Sequence, residues 1–345
     1  MKNVLFVLQD LPWYYYRAIE TISCLYRVTI VVTKKDKDAP YSFTVSSDIS
    51  VYNVDLDGIK KVQQLYHALN PELVVLGSWS GSLFRQIART VKKDRKIVII
   101  GMDNPWMGQL KQYLMCLLSP IILKRLFTHI WVPSISQYEY ARRLGYPRNN
   151  IIYGLYSGDD KLYKIQEHEY VSKERVILFV GRLLDWKGIL ALHQAFVQLS
   201  DDKEHSWKLV IIGNGPMKEQ LKAHEKINFI SFSPPEMVAS YMKKSAVFCL
   251  PSWHEHFGVV VHEAAMAGCA LLLSDGVHAG DEYLVDGYNG VLFASRNNMS
   301  LQKALSTLMF SQTMEEVIEM GKRSQILSMR NSPEMWASRL AKLLD

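Results

Sequence analysis

Short apolar segments of β type alternate with longer segments of helical type along almost the whole chain, and this alternation limits the fold more than any other feature. It predicts parallel sheets with helices on both faces. The alternation breaks once, over residues 154–174, where glycines and charged residues replace the apolar runs. Because 345 residues are also too many for one typical core, we expect two doubly wound α/β domains.

The predicted strands fall into two groups, one on each side of this break. They cover residues 4–8, 28–32, 73–76, 97–100 and 130–132, then 176–180, 208–212, 227–230, 247–250, 270–273 and 291–293. Open parallel sheets bind ligands beyond the carboxyl ends of their strands, so we expect the loops there to line one cleft between the domains. We place the first domain at residues 1–165, the second at 166–328, and a helix that returns to the first domain at 329–345.

The charge distribution and the cysteines indicate which partners and which cellular compartment to expect. The net charge is +6, and residues 1–166 carry 22 Lys and Arg against 13 Asp and Glu. This basic half suits an anionic partner such as a membrane surface, or is simply a solvated surface. No nucleic-acid motif is present, and we expect no such partner. The four cysteines form no C-x-x-C pair, and no signal peptide precedes the first strand, which indicates a cytoplasmic protein with reduced core thiols.

Residues 251–268 carry two carboxylates on a predicted strand–loop–helix segment. Glu255 lies in the loop, and Glu263 lies about 8 Å further along the helix that follows Gly258. One small group cannot touch both, but a nucleotide sugar could place its sugar at the loop, its phosphates at the helix N-terminus and its ribose beyond. The alternative is a capping glutamate and a surface glutamate on an ordinary helix.

Two further loops carry groups suited to phosphate. Gly181 leaves a strand and is followed by Arg182 and Lys187 just before a helix, where a helix N-terminus adds to the attraction for anions. Gly213 and Asn214 form a second strand-to-helix turn that allows close approach of a ligand to the backbone. The alternatives are solvated cations and a tight turn.

The order and spacing of these loops resemble the retaining, nucleotide-sugar-dependent glycosyltransferases of family 4. Those enzymes have the GT-B fold, in which two Rossmann-like domains face a central cleft and a C-terminal helix crosses back to the first. The matching motifs are G-R-L-x-x-x-K-G at 181–188, G-N-G-P at 213–216, P-S-x-x-E-x-F-G-x-x-x-x-E-A-x-A-x-G at 251–268 and D-G-x-x-G at 286–290. Together they cover most of residues 176–293.

The resemblance implies a role for each matching residue. Glu255 would accept hydrogen bonds from the donor sugar, Glu263 would bind the ribose diol, and Arg182 and Lys187 would hold the diphosphate as its charge grows in the transition state. The donor would be a UDP or GDP sugar, with no further cofactor. The remaining donor-site residues would be Gly181, Gly213, Asn214, His256, Phe257, Gly258 and Val259.

The first domain departs from the family pattern. Its first loop holds Trp13, Tyr14 and Tyr15 in place of a glycine-rich turn, so it would contact an acceptor ring or else form a half-buried helix start. Asp103 stands where the family often has a histidine, and would bind a sugar hydroxyl, take the acceptor proton or merely cap a turn. Ser78 and Trp79 would line the acceptor side.

We expect no metal requirement. The ten histidines show no H-x-x-x-H pair and no Cys/His cluster with the spacing of metal ligands. Residues 55–57 have the D-x-D form of metal-dependent glycosyltransferases with another fold, but they precede a helix outside the predicted cleft, and we attribute the match to coincidence.

The sequence therefore predicts a glycosyltransferase, EC class 2.4, acting on a carbohydrate or lipid-linked acceptor in bacterial polysaccharide, lipopolysaccharide or glycolipid synthesis. Two alternatives stay open: a nucleotide-sugar 2-epimerase of the same fold and a non-catalytic binding module. Residues 111–125 are apolar with basic ends. They would either dock peripherally on the inner membrane face or form a helix buried under the first sheet, and we favour the buried helix.

Overall fold

The computed structural model describes residues 1–33, 45–55, 58–202 and 204–345. Leu56 and Asp57 of the D-x-D segment lie outside these residues. The chain divides into two compact units. The first consists of residues 1–157 with 333–345, and the second of residues 158–332.

The division falls at Ser157 rather than at residue 165, where the sequence placed it. Residues 158–165 pack in the second unit. The Gly158 N–H donates to Nδ1 of His262 at 2.9 Å, and the Ile165 N–H donates to the Met266 carbonyl at 3.2 Å.

In the part of the chain that the structure describes, the first unit has one parallel sheet of seven strands. These are β1 (Asn3–Leu8), β2 (Arg27–Val32), β3 (Ile49–Asn53), β4 (Leu73–Leu76), β5 (Ile97–Gly101), β6 (His129–Val132) and β7 (Ile151–Tyr153). The helices are α1 (Trp13–Ser23), α2 (Ile59–Leu69), α3 (Ser82–Lys93), α4 (Leu110–Ile122) and α5 (Ile135–Arg143). Leu5 and Val7 of β1 enter one apolar cluster while Val4 and Phe6 enter another, because successive side chains of a strand point to opposite faces.

The second unit has the same design, with six parallel strands among its described residues. These are β8 (Glu174–Val180), β9 (Lys208–Ile212), β10 (Ile227–Ile230), β11 (Ser245–Leu250), β12 (Ala270–Ser274) and β13 (Gly290–Phe293). The helices are α6 (Asp160–Tyr163), α7 (Ile189–Asp202), α8 (Pro235–Lys244), α9 (Val259–Met266), α10 (Gly280–Tyr283), α11 (Asn298–Ser306) and α12 (Met314–Ser328). The prediction of two doubly wound α/β units is confirmed.

The strand order places a ligand crevice in each sheet. The orders are β3-β2-β1-β4-β5-β6-β7 and β10-β9-β8-β11-β12-β13, so the winding reverses between β1 and β4 and between β8 and β11. At such a reversal the two loops leave toward opposite faces of the sheet, and the space between them is where open α/β sheets bind ligands. The loops after β8 and β11 are those that carry the predicted donor residues.

Helix α13 (Pro333–Ala341) completes the core of the first unit. The buried Trp336 ring stacks on Trp131, with 4.6 Å between ring centroids, and on Phe6 at 6.1 Å, and it meets Tyr15 edge-on at 5.7 Å. Its Nε1–H donates to the Leu155 carbonyl at 2.8 Å. One indole thus joins α13 to the sheet and to α1.

Helix α4 is not the buried helix that the sequence favoured. Leu110, Leu117 and Ile121 are 86%, 76% and 66% exposed, while Gln112 and Ser119 are buried. The prediction was wrong because the helix has apolar residues on both faces and only one of them meets the core. Cys24 is likewise exposed, whereas Cys249 and Cys269 are buried as expected. Among the described residues, no helix combines the length and apolar character needed to cross a bilayer.

Candidate functional site

The loops after β8 and β11 are joined at the reversal point of the second sheet. The two strands are hydrogen-bonded neighbours, and beyond them the Trp253 N–H donates to the Trp186 carbonyl at 2.8 Å. This junction brings Lys187 and Glu255 together, although they are 68 positions apart in the chain.

Lys187 and Glu255 form an ion pair that is largely shielded from solvent. The ammonium of Lys187 contacts Oε2 of Glu255, and the two side chains are only 12% and 15% exposed. The Ser252 hydroxyl donates to the same oxygen at 3.3 Å, and the ammonium lies 4.6 Å from the centre of the Trp186 ring. Charged hydrogen bonds in such a site are strong and directional, so the pair offers a fixed cation beside a fixed acceptor.

Glu255 is held at the entrance to helix α9. Its N–H donates to the Gly276 carbonyl at 2.8 Å, and the buried Phe257 ring meets Tyr283 edge-on at 6.2 Å. Gly258 has φ +99°, which lets the loop turn directly into the helix. The first N–H groups of a helix lack partners within it, so those of Gly258 and Val259 are suited to an anion.

Glu263 lies further along α9, close to Asp159. Burial, and to a lesser extent the charge of Asp159, raises the pKa of Glu263 to about 8. Gly158 packs beside it, and a Cβ built there would lie in van der Waals contact with Cγ of Glu263, at 3.5 Å. At neutral pH much of Glu263 is therefore protonated in the free protein, and its carboxyl group can donate as well as accept a hydrogen bond.

The imidazole of His262 also holds helix α9 in place. Its Nδ1 accepts the Gly158 N–H, so its Nε2 carries the proton and donates to the Ser328 carbonyl at 2.9 Å. The ring also stacks on Tyr283, with centroids 4.4 Å apart. His262 therefore positions the helix that bears Glu263.

Replacing Glu263 with glutamine is expected to stabilise the protein at alkaline pH. A carboxyl whose pKa is raised on folding favours the folded state below its unfolded pKa, near 4.5, and loses that contribution as the pH rises to about 8. The variant cannot ionise, so its free energy of unfolding should exceed that of the wild type by about 2–4 kcal/mol above pH 8. Thermal melts across this pH range measure the effect. Glu219 is exposed, and the Glu219→Gln variant should show no such dependence on pH. If the stability difference between Glu263→Gln and wild type did not change with pH, the raised pKa of Glu263 would be contradicted.

The remaining donor-loop residues are placed by backbone contacts. The Leu183 N–H donates to the Asn214 carbonyl at 2.8 Å, and a Cβ on Gly213 would lie 1.9 Å from the Gly181 carbonyl oxygen. The two loops therefore pack backbone against backbone, which requires glycine at 213. The Arg182 and Asn214 side chains are exposed.

Histidines gather beside the Glu255 loop. The ring of His254 lies 5.2 Å from that of His256 and 6.5 Å from that of His278. Burial, followed by the charges of the two neighbouring imidazoles, lowers the pKa of His254. The predicted donor residue His256 is exposed. Among the described residues, no group of His, Cys, Asp and Glu side chains is arranged to hold a metal ion.

In the first unit, Asp103 follows β5 and is held by two residues that the sequence did not single out. The Tyr156 hydroxyl donates to Oδ2 of Asp103 at 3.1 Å, and the Gln137 amide donates to the Asp103 carbonyl at 3.1 Å. Burial, followed by the charge of Asp103, raises the pKa of Tyr156 well above its usual value, so the phenol stays a hydrogen-bond donor. Tyr156 follows the short strand β7, which the sequence pattern missed.

The aromatic residues of the first loop have different surroundings. Tyr15 is buried in the core, packed against Phe6 and Trp336, so its ring has a packing role where the sequence suggested an acceptor contact. Trp13 and Tyr14 are partly exposed, and Tyr14 meets Tyr156 edge-on at 5.9 Å.

The loop after β4 also presents predicted acceptor-side residues. Trp79 is 41% exposed, and the hydroxyls of Ser78 and Ser80 lie 2.9 Å apart. Ser78 is partly exposed as well, so a ligand can reach both of the residues that were predicted to line the acceptor side, Ser78 and Trp79.

The comparison with protein families concerns the second unit. Residues 160–325 match the family model described as "Glycosyl transferases group 1". This segment is similar to group 1 glycosyltransferase domains. It contains the Lys187–Glu255 pair, the N-terminus of α9 and Glu263.

Curated relatives match this chain over stretches of different length. An uncharacterised glycosyltransferase of Methanocaldococcus jannaschii is 33% identical over 135 residues, which are 37% of this chain and 34% of that protein. The chain thus spans about a third of the length of that relative. The capsular polysaccharide biosynthesis glycosyltransferase CapM of Staphylococcus aureus is 21% identical over 321 residues, which are 87% of this chain and 83% of that protein.

Solved structures match the chain over its whole length. Alr3699/HepE of Anabaena, solved with UDP and glucose, has a TM-score of 0.72 at 17% identity and covers 100% of this chain and 99% of its own. Sucrose-phosphate synthase of Thermosynechococcus elongatus has a TM-score of 0.76 at 14% identity, covering 100% and 98%. Identities this low establish the fold alone, which is GT-B.

Proposed function

We propose that the chain is a retaining glycosyltransferase of family 4, which moves a sugar from a nucleoside diphosphate to an acceptor hydroxyl. The observation that carries the proposal is the shielded Lys187–Glu255 pair at the N-terminus of α9, with Glu263 further along the same helix. Glu255 would accept hydrogen bonds from the donor sugar, Lys187 and Arg182 would bind the diphosphate, and Glu263 would bind the ribose diol.

The proposed chemistry is a front-face displacement without a covalent sugar–protein intermediate. The bond from the anomeric carbon to the diphosphate oxygen breaks, the acceptor oxygen bonds to that carbon on the same face, and the leaving diphosphate takes the acceptor proton. Negative charge grows on the diphosphate, where Lys187 and the N-terminus of α9 would stabilise it. Glu255 is neutralised by Lys187, which makes it a poor nucleophile and favours this route over a double displacement.

The test is donor binding followed by transfer. UDP and GDP sugars are screened by thermal shift, UDP-glucose first, and a ligand at a hundred times its Kd should add about 2.7 kcal/mol of stability. Glu255→Ala should weaken binding of the sugar nucleotide more than binding of the free nucleotide, because Glu255 contacts the sugar. Equal donor affinity and turnover in Glu255→Ala and wild type would refute the site assignment.

We propose that the acceptor is a carbohydrate or lipid-linked saccharide of a bacterial surface polymer, reached from the cytoplasmic side of the membrane. The likeness to the staphylococcal capsular enzyme supports this class of acceptor. The basic charge of residues 1–166 suits an anionic, lipid-linked acceptor. Asp103, held by Tyr156, would bind a sugar hydroxyl, while Trp13, Tyr14, Ser78 and Trp79 would contact the acceptor.

Transfer is expected to continue at its full rate in excess EDTA. Lys187, Arg182 and the N–H groups of α9 supply the positive charge that a metal ion supplies to the diphosphate in other glycosyltransferases. Initial rates with EDTA, with Mg²⁺ and with neither should agree. A rate that EDTA abolishes and Mg²⁺ restores would show that a metal ion is required.

A nucleotide-sugar 2-epimerase of the same fold is the second candidate, and the comparisons do not favour it. Incubation of the protein with UDP-GlcNAc and no acceptor distinguishes the two functions. An epimerase converts the sugar, whereas the proposed transferase leaves its configuration unchanged.

A further inference from the structure

The outward face of helix α4 is unusually apolar for a protein surface. Its large apolar side chains are spaced so that they share one face of a helix, and each is between 55% and 86% exposed: Leu110, Tyr113, Leu114, Leu117 and Ile121. We call this set the α4 face. Surface helices normally turn polar residues outward, and a contiguous apolar patch of this kind marks an interaction site.

The α4 face is not an unpacked part of the core. The opposite side of the helix supplies the core contacts, where Met115, Cys116 and Ile122 pack against the apolar cluster of the first unit. Gln112 and Ser119 on that side are buried. The inward side of α4 thus makes the contacts that hold the helix on the first unit. Its outward apolar residues make no such core contact, and folding does not require them to be apolar.

Cations border the α4 face, and the stretch of chain that contains it holds no acidic residue. No Asp or Glu occurs between Asp103 and Glu139, while Lys111 lies in the first turn of α4 and Lys124 and Arg125 follow its last turn, all three exposed. Lys92 adds a further cation at that end, where its ammonium donates to the Lys124 carbonyl at 3.1 Å. Arg143 of the neighbouring helix α5 is paired with Glu139 at 2.6 Å.

Aromatic and basic groups also meet at the start of the helix. Trp106 lies 4.9 Å from Tyr113 and carries the guanidinium of Arg143 over its ring at 4.5 Å. Tryptophan and tyrosine prefer the boundary between lipid and water, where an apolar ring and a polar tip are both satisfied. An apolar helical face rimmed by such rings and by cations fits an anionic lipid surface.

We propose that the α4 face docks on an anionic membrane, with α4 lying in the plane of the headgroups. A second copy of the chain is a poorer occupant, because a symmetric pairing of this face would bring the two cationic rims together. This inference deepens the proposed function, since a membrane-docked first unit would meet an acceptor carried by a lipid.

The docking helix is rigidly connected to the Asp103 loop. The Gln112 side chain accepts the Met107 N–H at 2.8 Å and donates to the Pro105 carbonyl at 2.8 Å. Seven positions separate Asp103 from Leu110, and this buried amide braces the segment between them. Docking of α4 would therefore set the height of the Asp103 loop above the membrane.

The test is co-sedimentation of the full chain with two kinds of vesicle, one of pure phosphatidylcholine and one of equal parts phosphatidylcholine and phosphatidylglycerol. Wild type should bind the anionic vesicles. Leu114→Glu with Leu117→Glu should reduce that affinity at least tenfold. Lys124→Gln with Arg125→Gln should reduce it about fivefold per charge. Ile326→Glu is the matched control, because Ile326 is 68% exposed on α12 of the second unit, and it should bind as wild type does.

Three outcomes would overturn the proposal. They are no binding of wild type to anionic vesicles, equal binding of wild type and the double glutamate variant, and a concentration-dependent dimer in solution that the same variant dissolves. Donor binding and transfer to a detergent-dispersed acceptor are measured on every variant. If these are normal while vesicle binding is lost, the docking is separate from the chemistry. If wild type docks but binds no sugar nucleotide, the proposed function fails and the docking stands.

Discussion

Replacing Lys187 with methionine is expected to lower kcat/KM for sugar transfer by about 10²–10³-fold. The methionine keeps much of the aliphatic length but removes the ammonium that contacts Glu255 in the free protein and would contact the diphosphate in the complex. It also leaves a largely shielded carboxylate without its counter-ion. Steady-state kinetics with saturating acceptor measure the effect, and most of it should appear in kcat because charge on the diphosphate grows in the transition state.

Two variants control for this result. Lys303→Met removes an exposed lysine from α11 and should keep wild-type kinetics. Lys187→Arg retains the charge but not the compact ammonium, so its kcat/KM should lie between those of the wild type and of Lys187→Met. Wild-type kcat/KM in Lys187→Met would remove Lys187 from the mechanism, and a loss confined to KM would give it a role in binding alone.

Replacing Trp336 with alanine is expected to destabilise the first unit by about 3–5 kcal/mol. The change empties the space between Trp131, Phe6 and Tyr15 and leaves the Leu155 carbonyl without its indole donor. For a unit of this size such a loss lowers Tm by about 10 °C. Circular dichroism melts, with and without a donor nucleotide, measure the shift.

Met335 provides the matched control on the same helix. It is 46% exposed, so Met335→Ala should change stability by no more than about 0.5 kcal/mol. A Trp336→Ala protein with an unchanged melt would mean that α13 does not contribute to the core of the first unit. Unfolding is followed for each unit separately where two transitions are seen, because a single free energy applies only to a single cooperative transition.

Much of the fold could be predicted from the sequence. The strands that could not be predicted lie at the two edges of the first sheet. Every strand of the second unit was predicted within three residues, because buried parallel strands are continuous apolar runs. The two missed strands are β3 and β7, the outer strands of the first sheet. β3 alternates polar and apolar residues, and β7 has three residues, so neither gives the signal of a buried strand.

The candidate site was predictable where its residues share one local motif. Glu255, Gly258 and Glu263 lie on one strand–loop–helix segment, so their relation follows from helix geometry. The electrostatic effect of Asp159 on Glu263 and the hydrogen bond from Tyr156 to Asp103 join distant parts of the chain, and nothing in the local pattern pairs them. For α4, an apolar run of this length is equally typical of a core helix and of one that faces lipid, and only the packing distinguishes them.

The position of Trp336 also affects how the protein is made. Its ring packs on Phe6 of the first strand, yet the ribosome adds it after the entire second unit. At about 5–20 residues per second, Trp131 emerges on the order of ten seconds or more before the indole that covers it. During that interval the nascent first unit carries an uncovered aromatic surface on a complete parallel sheet. This protein should therefore depend on chaperones during translation more than its finished structure suggests.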